Sequence, residues 1–408
     1  MPNINPQRLM ADLRALAEIG KYKTGVHRPA LSADDMRGRR WLVERMQAAG
    51  LDASIDGIAN VFGRSRASGR IMLTGSHLES QNHAGWLDGA MGVIFGLEAA
   101  RALSEDAETT HLGIDVAAWC DEEGHFGHFL GSRSAVGLLE EAEIDQAVDR
   151  TLGKPMRAAL AEAGLAGIPR LLVDPKRYLG YFEAHIEQGD TLEAERQKIG
   201  VVTAIVGNWR YDIHVEGEQN HAGTTRMATR KDAGVGLIRF CAALDKRFPE
   251  VAGPRTVWTI GKITLDPGAP NIVPGAADVV FHFRDADPAL LPVLERTLQE
   301  LVAEANAIGP CRFTLTSISK STPTLMDERF QSALDVAAER HAPGKHIRMP
   351  SGAGHDAQYL ARIMPSVMMF VPSIGGISHH WSENTSDEDL ILGAQVFTTA
   401  IADMLKAG

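Results

Sequence analysis

Three consecutive acids, Asp121, Glu122 and Glu123, follow an apolar, β-compatible run of the chain. Ligands bind where the strands of an α/β sheet end, so acids delivered to that edge are candidates for chemistry. Neighbouring carboxylates raise each other's pKa unless a cation lies between them. A metal ion would relieve that repulsion, with one carboxylate as its ligand and the neighbour free to move protons. The alternative is a strand followed by a solvated acidic turn.

Three further predicted strands, at residues 70–76, 177–185 and 366–371, also run into side chains that bind metals or move protons. Because the strands of an α/β sheet deliver their carboxyl ends to one edge, these side chains are expected to meet the acids there. The residues supplied in this way are His77, Asp88, His185, His379 and His380.

Together these side chains match the needs of a dinuclear metal site. Two divalent ions about 3.5–4 Å apart require roughly three protein ligands each, and one carboxylate can bridge them. The predicted ligands are His77, His185 and Asp88 for one ion and Glu123, His379 and the same Asp88 for the other. Glu122 is then left as a general base. Taken singly, each histidine is more simply a surface or core residue, so the prediction depends on their convergence.

The composition is typical of a soluble globular protein with two domains. The chain has 408 residues, more than one core usually organises, of which 44% are hydrophobic and 23% charged. The formal net charge of -11 argues against nucleic acid or an anionic membrane as a partner. Three widely spaced cysteines, no signal peptide and no apolar run long enough to span a bilayer predict a cytoplasmic protein.

The periodicity of the sequence predicts a larger α/β domain interrupted by a smaller one. Strands and helices alternate before the interruption and after it, and residues 140–167 are predicted to be helical. Between them the order of elements is βαββαβ, with alternating strands typical of a two-layer α+β domain. We therefore predict an α/β catalytic domain of residues 1–209 and 326–408, with residues 210–325 inserted.

A series of short motifs runs through the chain. They are Gly75-Ser-His-Leu-Glu-Ser80, Leu87-Asp-Gly89, Asp121-Glu-Glu-Gly124, His185-Ile-Glu-Gln-Gly189, Asn220-His-Ala-Gly-Thr-Thr225, Asn271-Ile-Val-Pro-Gly275, Ser351-Gly-Ala-Gly-His-Asp356 and Gly375-Gly-Ile-Ser-His379. With them the chain resembles the M20 family of dinuclear-metal peptidases and amidases over almost its whole length. The HIEQG and NHAGTT strings resemble the branch that holds N-carbamoyl-L-amino-acid hydrolases, allantoate amidohydrolases and β-ureidopropionases.

The resemblance implies an aminopeptidase-like dinuclear-metal catalytic domain whose insertion serves as a lid and dimerisation domain. It assigns the metal ligands named above, with Asp88 bridging, and Glu122 as the general base. His221 of the lid would reach the partner subunit's site and stabilise the tetrahedral oxyanion, which implies a homodimer. Asn271 and Arg284 would hold the substrate carboxylate, and a guanidinium can do so bidentately. Further implied substrate contacts are Gln188, Arg210 and His355.

Simpler roles for these residues stay open on residue type alone. Arg210 and Arg284 could be solvated strand charges, Gln188 and Asn271 turn residues, and His355 a neighbour of a helix cap. The chain also departs from the family pattern around the expected pocket. Glu79 replaces the usual Asp, and we expect it to orient the second ring nitrogen of His77. The segment after Glu123 is shorter and lacks an arginine. Candidates for a reshaped pocket are His125, His128, His380, Trp86 and Trp381.

The predicted activity is hydrolysis of a linear amide or ureido C–N bond in a small molecule that bears a carboxylate. The preferred substrate class is an N-carbamoyl amino acid or related ureido acid, giving amine, CO2 and ammonia. Glu122 would take a proton from the attacking water and return it to the leaving nitrogen. The alternatives are another M20 activity (an aminoacylase, a dipeptidase or a hydrolase of an unusual amide) and, from another class, a non-catalytic binding protein. Such a ligand set accepts two ions of Zn, Mn, Co or Ni.

Overall fold

The computed structural model describes residues 2–407, and the chain forms two compact units. The larger unit contains Met1–Thr203 and Leu325–Gly408, and the smaller unit contains Ala204–Thr324. Both mix helices with strands, as the predicted α/β class requires.

The helices and strands are listed here in chain order. The helices are α1 Pro6–Ala17, α2 Ala33–Ala48, α3 Ala90–Glu105, α4 Leu130–Ala135, α5 Glu141–Gln146, α6 Met156–Glu162, α7 Thr191–Ala194, α8 Ala233–Arg247, α9 Leu290–Ile308, α10 Glu328–His341, α11 Ala357–Leu360 and α12 Asp387–Ala407. The strands are β1 Lys21–Tyr22, β2 Gly25–Val26, β3 Asp52–Ile55, β4 Val61–Arg64, β5 Ile71–His77, β6 Gly113–Trp119, β7 Tyr178–Ile186, β8 Ile199–Ile205, β9 Gly207–Glu216, β10 Asn220–His221, β11 Val257–Asp266, β12 Ile272–Val273, β13 Ala276–Asp285, β14 Arg312–Lys320, β15 Thr324–Leu325, β16 His346–Ser351 and β17 Ser366–Val371.

A mixed sheet organises the larger unit. Its strand order is β8-β17-β7-β5-β6-β4-β3, with β15 and β16 beside β8. The central strands β17, β7, β5 and β6 run parallel to one another. They are buried along nearly their whole length, as expected for parallel strands covered on both faces. Their carboxyl ends therefore meet at one edge of the sheet.

Local signals fix the ends of several helices in the larger unit. The Asn5 side chain accepts a hydrogen bond from the backbone of Arg8, and Pro6 occupies the first turn of α1. Ser32 caps α2 in the same way. The small-residue helix α3 packs on β5 and β6 because Gly92 and Gly96 let its backbone approach them closely. The starts of α1 and α2 are thus each fixed by a side chain that accepts an amide only three residues later.

Two expectations for the larger unit are wrong. Residues 140–167 do not form one helix: α5 and α6 are separated by a turn over 148–155, where Gly153 takes a positive φ of 69° and Pro155 lacks the amide that a helix interior needs.

The second is the expectation that no apolar run is long enough to span a bilayer. By length and composition alone, α12 is apolar enough to do so. In the protein, 61% of its most apolar window is buried. It packs against α3 and α10, as a core helix does.

The smaller unit is an antiparallel sheet with two helices on one face. The sheet order is β11-β13-β9-β14, and α8 and α9 pack on it. Residues of β9 and β13 alternate between a buried apolar face and a half-exposed polar face. Tyr211, Phe281, Phe283 and Phe248 belong to the core under the helices. β11 is an edge strand whose side chains are almost all exposed.

Candidate metal centre

Asp88 lies at the centre of the ligand residues supplied by the parallel strands. His77 is the last residue of β5, and His185 is close to the end of β7. Asp88 Oδ1 lies 3.4 Å from His77 Nε2 and 3.1 Å from His185 Nε2. Its other oxygen, Oδ2, lies 3.4 Å from His379 Nε2. One aspartate thus presents one oxygen to each of two sets of donors.

These donors form two groups that could each hold a metal ion. His77, Asp88 and His185 form the closed group, whose residues are all buried. Asp88, Glu123 and His379 form the open group, in which His379 is exposed. Ligand atoms about 2.0–2.2 Å from a tetrahedral ion stand roughly 3.3–3.6 Å apart. Two of the distances around Asp88, both 3.4 Å, lie in that range, and the third, 3.1 Å to His185, is slightly shorter. The mixture of imidazole and carboxylate donors also suits a divalent metal ion.

The rings of the closed group are held in the tautomer that a metal ion requires. His77 Nδ1 lies 3.0 Å from the carbonyl oxygen of Glu79, and His185 Nδ1 lies 2.9 Å from that of Ile186. Since a carbonyl oxygen only accepts, each Nδ1 carries the proton and donates it. Each Nε2 then keeps a lone pair directed towards Asp88.

Gly89 allows this close packing. It has φ +66° and ψ -52°, and a Cβ added there would lie 2.4 Å from ring atoms of His77. An L-residue is therefore excluded both by the backbone conformation and by the neighbouring ring.

The three consecutive acids after β6 have three different environments. Asp121, at φ +59°, accepts hydrogen bonds from the backbone of His125, Phe126 and Gly127 and so folds the turn. Glu122 is buried, and its Oε2 lies 3.8 Å from His77 Nε2. Burial, followed by the charge of Glu123, raises the pKa of Glu122 well above its usual value. Glu123 Oε2 lies 3.7 Å from His379 Nε2.

Glu79 contacts His77 differently from the prediction. The expected carboxylate contact is wrong: the backbone carbonyl of Glu79, not its carboxylate, holds the ring of His77. The carboxylate accepts the amide of Glu122 at 2.7 Å and a bond of 2.5 Å from Arg39. Arg39 is completely buried and also donates to Asp35 at 2.9 Å. The carboxylate of Glu79 is thus drawn towards a buried cation of α2.

Gln188 lies inside the open group. Its Nε2 donates to Asp88 Oδ2 at 3.0 Å and lies 3.4 Å from His379 Nε2. Gln188 and His379 both have positive φ, 59° and 55°. Non-glycine residues in that region are uncommon and cluster at functional sites.

The chain matches the family model described as Peptidase family M20/M25/M40 over residues 74–403. It belongs to this family. A solved amidase of the hydantoinase/carbamoylase family from Burkholderia phymatum is 46% identical, with a TM-score of 0.94 over 100% of this chain and 99% of that one.

Two curated relatives are named as amidohydrolases of ureido compounds. The N-carbamoyl-L-amino-acid amidohydrolase of Pseudomonas sp. (strain NS671) is 32% identical over 98% of each chain. The allantoate amidohydrolase of Bacillus subtilis (strain 168) is 33% identical over 92% of this chain and 91% of the relative. The resemblance expected from the motifs is therefore confirmed at the level of the family.

In this M20-family chain, the smaller unit carries two of the predicted substrate residues on the half-exposed face of its sheet. Arg210 on β9 stands directly opposite His282 on β13, and Arg284 follows two residues later on the same face. Burial and then the charge of Arg210 lower the pKa of Arg284. The two arginines thus lie at one end of this face, and Asp212 and Asp278 lie further along it.

His221 and Asn271 are neighbours elsewhere in the smaller unit. They lie on or beside the paired short strands β10 and β12, and Ala222 donates its amide to the carbonyl of Asn271. His221 Nδ1 accepts hydrogen bonds from the amides of Gly223 and Thr224, at 3.0 and 3.1 Å. Its proton is therefore on Nε2, on an exposed ring.

His355 lies behind the closed group. Its ring is buried, with its centroid 4.6 Å from that of His185, and its Nε2 lies 2.9 Å from the Ser351 hydroxyl. A substrate contact for His355 stays a prediction. Two of the pocket candidates have partners of their own. His125 Nε2 lies 3.0 Å from the carbonyl oxygen of Ser80, and Lys23 Nζ lies over the Trp381 ring, 4.1 Å from its centroid.

Sequence reasoning missed three residues that touch the ligands. Gln81 donates to Glu123 through both its backbone and its side chain. Glu383 accepts the amide of Asp88 at 3.1 Å, and the Ser378 hydroxyl lies 3.0 Å from Glu383 and 3.4 Å from Asp88. The available signal was proximity, because Gln81 follows the first motif directly and Ser378 and Glu383 flank His379.

Proposed function

We propose that this protein is a metal-dependent amidohydrolase that cleaves a linear C–N bond in a small ureido acid, with N-carbamoyl amino acids as the preferred class. The observation that carries the proposal is the division of Asp88 between two groups of donors, beside a buried carboxylate, Glu122, that belongs to neither. Relatives named for N-carbamoyl amino acids and allantoate support the substrate class.

The closed and open groups would hold two divalent ions. Such ions lower the pKa of water and polarise the carbonyl oxygen of a substrate. The mixed imidazole and carboxylate donors would accept Zn, Mn, Co or Ni.

Glu122 would perform the proton transfers. It is buried, close to the closed group, and its backbone amide is fixed by Glu79. A carboxylate in this position would take the proton of the attacking water and deliver it to the leaving nitrogen.

His221 would stabilise the oxyanion. Because the amides of Gly223 and Thr224 occupy its Nδ1, its Nε2–H is available as a donor. Arg230 holds the loop by donating to the carbonyls of Ala222 and Thr225. A fixed donor directed at developing negative charge contributes more to the rate than a mobile one.

Arg284, Arg210 and Asn271 would bind the carboxylate of the substrate. The two arginines occupy one face of the antiparallel sheet, and a planar guanidinium pairs bidentately with a carboxylate. Two guanidinium groups at one end of the face suit a small anion, although the chain as a whole has a net charge of -11.

We further propose that the smaller unit acts as a lid and pairs two subunits into a homodimer, so that His221 acts in the partner's site. Edge strand β11 supports this, since Val257 is 53% and Ile263 52% exposed. An unpaired, apolar edge is a template for pairing with another chain. The location is proposed to be cytoplasmic.

A substrate panel tests the reaction. Metal-free protein reconstituted with Mn or Zn would be given N-carbamoyl amino acids, allantoate, N-acetyl amino acids and dipeptides, with ammonia and amine release measured separately. Ammonia release from the ureido acids, lost in Glu122→Gln with metal content unchanged, is expected. Cleavage of only the N-acetyl compounds or dipeptides would replace the proposal with another M20 activity, and no turnover would support a binding protein.

Mixing two inactive variants tests the action of His221 in trans. Glu122→Gln and His221→Ala subunits, unfolded and refolded together, form mixed dimers in which one site has both residues intact. Activity should return to about a quarter of the wild-type level, because half of the dimers are mixed and each has one complete site. Absence of recovery in dimers shown to be mixed would contradict the trans arrangement.

A further inference from the structure

Gln81 holds both oxygens of the Glu123 carboxylate. Its backbone amide donates to Glu123 Oε1 at 3.2 Å, and its side-chain Nε2 donates to Oε2 at 2.7 Å. The same Nε2 reaches the backbone carbonyl of Glu123 at 3.0 Å. One residue therefore fixes both the side chain and the backbone of an open-group residue.

Arg150 determines which way the amide of Gln81 faces. A guanidinium nitrogen of Arg150 donates to Gln81 Oε1. An amide side chain can present either its oxygen or its nitrogen to a neighbour. The guanidinium of Arg150 can only donate and so requires the amide oxygen of Gln81. The carboxylate of Glu123 can only accept and so requires the NH2 group, and both contacts therefore favour the same orientation of the amide.

The turn over residues 148–155 carries Arg150 to this position. Its backbone amide donates to the carbonyl of His125 at 2.9 Å. The neighbouring Thr151 accepts a side-chain bond of 3.1 Å from Asn82, the residue after Gln81. The turn is therefore tied both to the loop after Glu123 and to the segment after the first motif, although all three are far apart in sequence.

This support differs from that of the closed group. There, backbone carbonyls at the ends of buried strands hold the rings of His77 and His185. In the open group, the carboxylate of Glu123 depends on a side chain, and that side chain depends on an exposed arginine in a turn.

We propose that Arg150 and Gln81 are positioning residues for Glu123 and that together they set the affinity of the open group for its divalent ion. This inference rests on the proposed function, because it presupposes that Glu123 is a ligand. Residues that orient a ligand without touching the metal change its affinity roughly 10–100-fold when replaced. Arg150 acts through Gln81, so removing both should weaken binding no more than removing Gln81 alone.

Calorimetric titration of the full-length, metal-free protein with Mn²⁺ tests the proposal. Wild type should bind two ions per subunit in two steps. Gln81→Leu should weaken the second step by roughly 10–100-fold and leave the first unchanged. Arg150→Leu should weaken the second step in the same direction, Arg150→Lys should restore part of it, and the double variant should match Gln81→Leu.

Lys154→Leu is the matched control, because it removes another cation of the same turn, one that donates to Glu162 and not to Gln81. It should leave both steps at wild-type affinity, and thermal unfolding of each variant would show that it folds. Additive effects of Gln81→Leu and Arg150→Leu, an equal loss in both steps, or no loss would overturn the proposal. If wild type itself binds fewer than two ions, the failure belongs to the proposed dinuclear site instead.

Discussion

The closed and open groups share Asp88 but are built in different ways. The closed group is buried, lies at the ends of two adjacent parallel strands, and has its histidine rings held by backbone carbonyls. The open group is formed by loops: Glu123 follows β6 within a turn, and the His379 side chain is 51% exposed. A sheet edge therefore preorganises one group of candidate ligands, whereas loops form the other.

This difference leads to an order of binding. Preorganised ligands lose little conformational freedom when an ion binds, so the closed group should fill first and release its ion last. The open group should fill second and exchange its ion more readily. The following experiments would sharpen that comparison or break it.

Replacing Asp88 with Ala should have the largest effect, because it removes the only residue that both groups share. Both binding steps should be lost together. Turnover should fall roughly 10³-fold or more, since metal ions supply several kcal/mol of transition-state stabilisation and each 1.36 kcal/mol is a factor of ten. Metal analysis by mass spectrometry, alongside ureido-acid turnover, measures this. A variant that kept one ion at wild-type affinity would show that the groups do not share Asp88.

His77→Ala and His379→Ala should separate the two groups. His77→Ala should abolish the tight step, and His379→Ala should abolish only the weak one, because each histidine belongs to one group. Titration with Mn²⁺ followed by calorimetry would resolve the steps. Loss of the tight step in His379→Ala would reverse the proposed order.

Gly89→Ala should damage the closed group specifically. The positive φ of Gly89, combined with a negative ψ, costs an L-residue roughly 1–3 kcal/mol, and overpacking against His77 adds roughly 1–3 kcal/mol. Gly164→Ala is the matched control, because Gly164 also has a positive φ, 79°, but a Cβ there has no atom within 4 Å. Urea unfolding of the two metal-free variants measures the loss in free energy of unfolding that each substitution causes. Equal losses would show that the ring of His77 is not tightly packed.

Ser378→Ala should have the smallest effect. Its hydroxyl lies near Asp88 Oδ2 and Glu383, and a hydrogen bond of this kind contributes about 0.5–1.5 kcal/mol. The second binding step should weaken by no more than roughly tenfold. A change in the first step instead would place Ser378 with the closed group.

The convergence of the strand ends was predictable because it follows from topology. Buried apolar runs identify parallel strands, and parallel strands bring their carboxyl ends together whatever lies between them in sequence. The starts of α1 and α2 were predictable for a similar reason, since Asn5 and Ser32 act on amides only three residues away. Local chemistry and strand order thus sufficed for the candidate ligands and much of the fold.

The contacts of Glu79 were not predictable, because its carboxylate accepts a hydrogen bond from Arg39, a residue of α2 forty positions earlier. The same holds for Gln81, whose orientation depends on Arg150 in a distant turn. The break between α5 and α6 was not predicted, because the helical periodicity of residues 140–167 is a stronger signal than the turn residues Gly153 and Pro155. Glu79 and Gln81 thus depend on partners from elsewhere in the fold, whereas the break between α5 and α6 has a local cause.

The buried Arg39 limits how this enzyme can be re-engineered. Transplanting residues 121–132 from another amidase, as a cassette intended to change substrate preference, would leave the backbone of Glu122 anchored by Glu79, and Glu79 anchored by α2. A transplanted loop whose backbone runs differently at this position would lose that anchor. A successful graft must therefore carry matching residues at positions 35, 39 and 79 along with the loop, although none of them need ever meet the substrate.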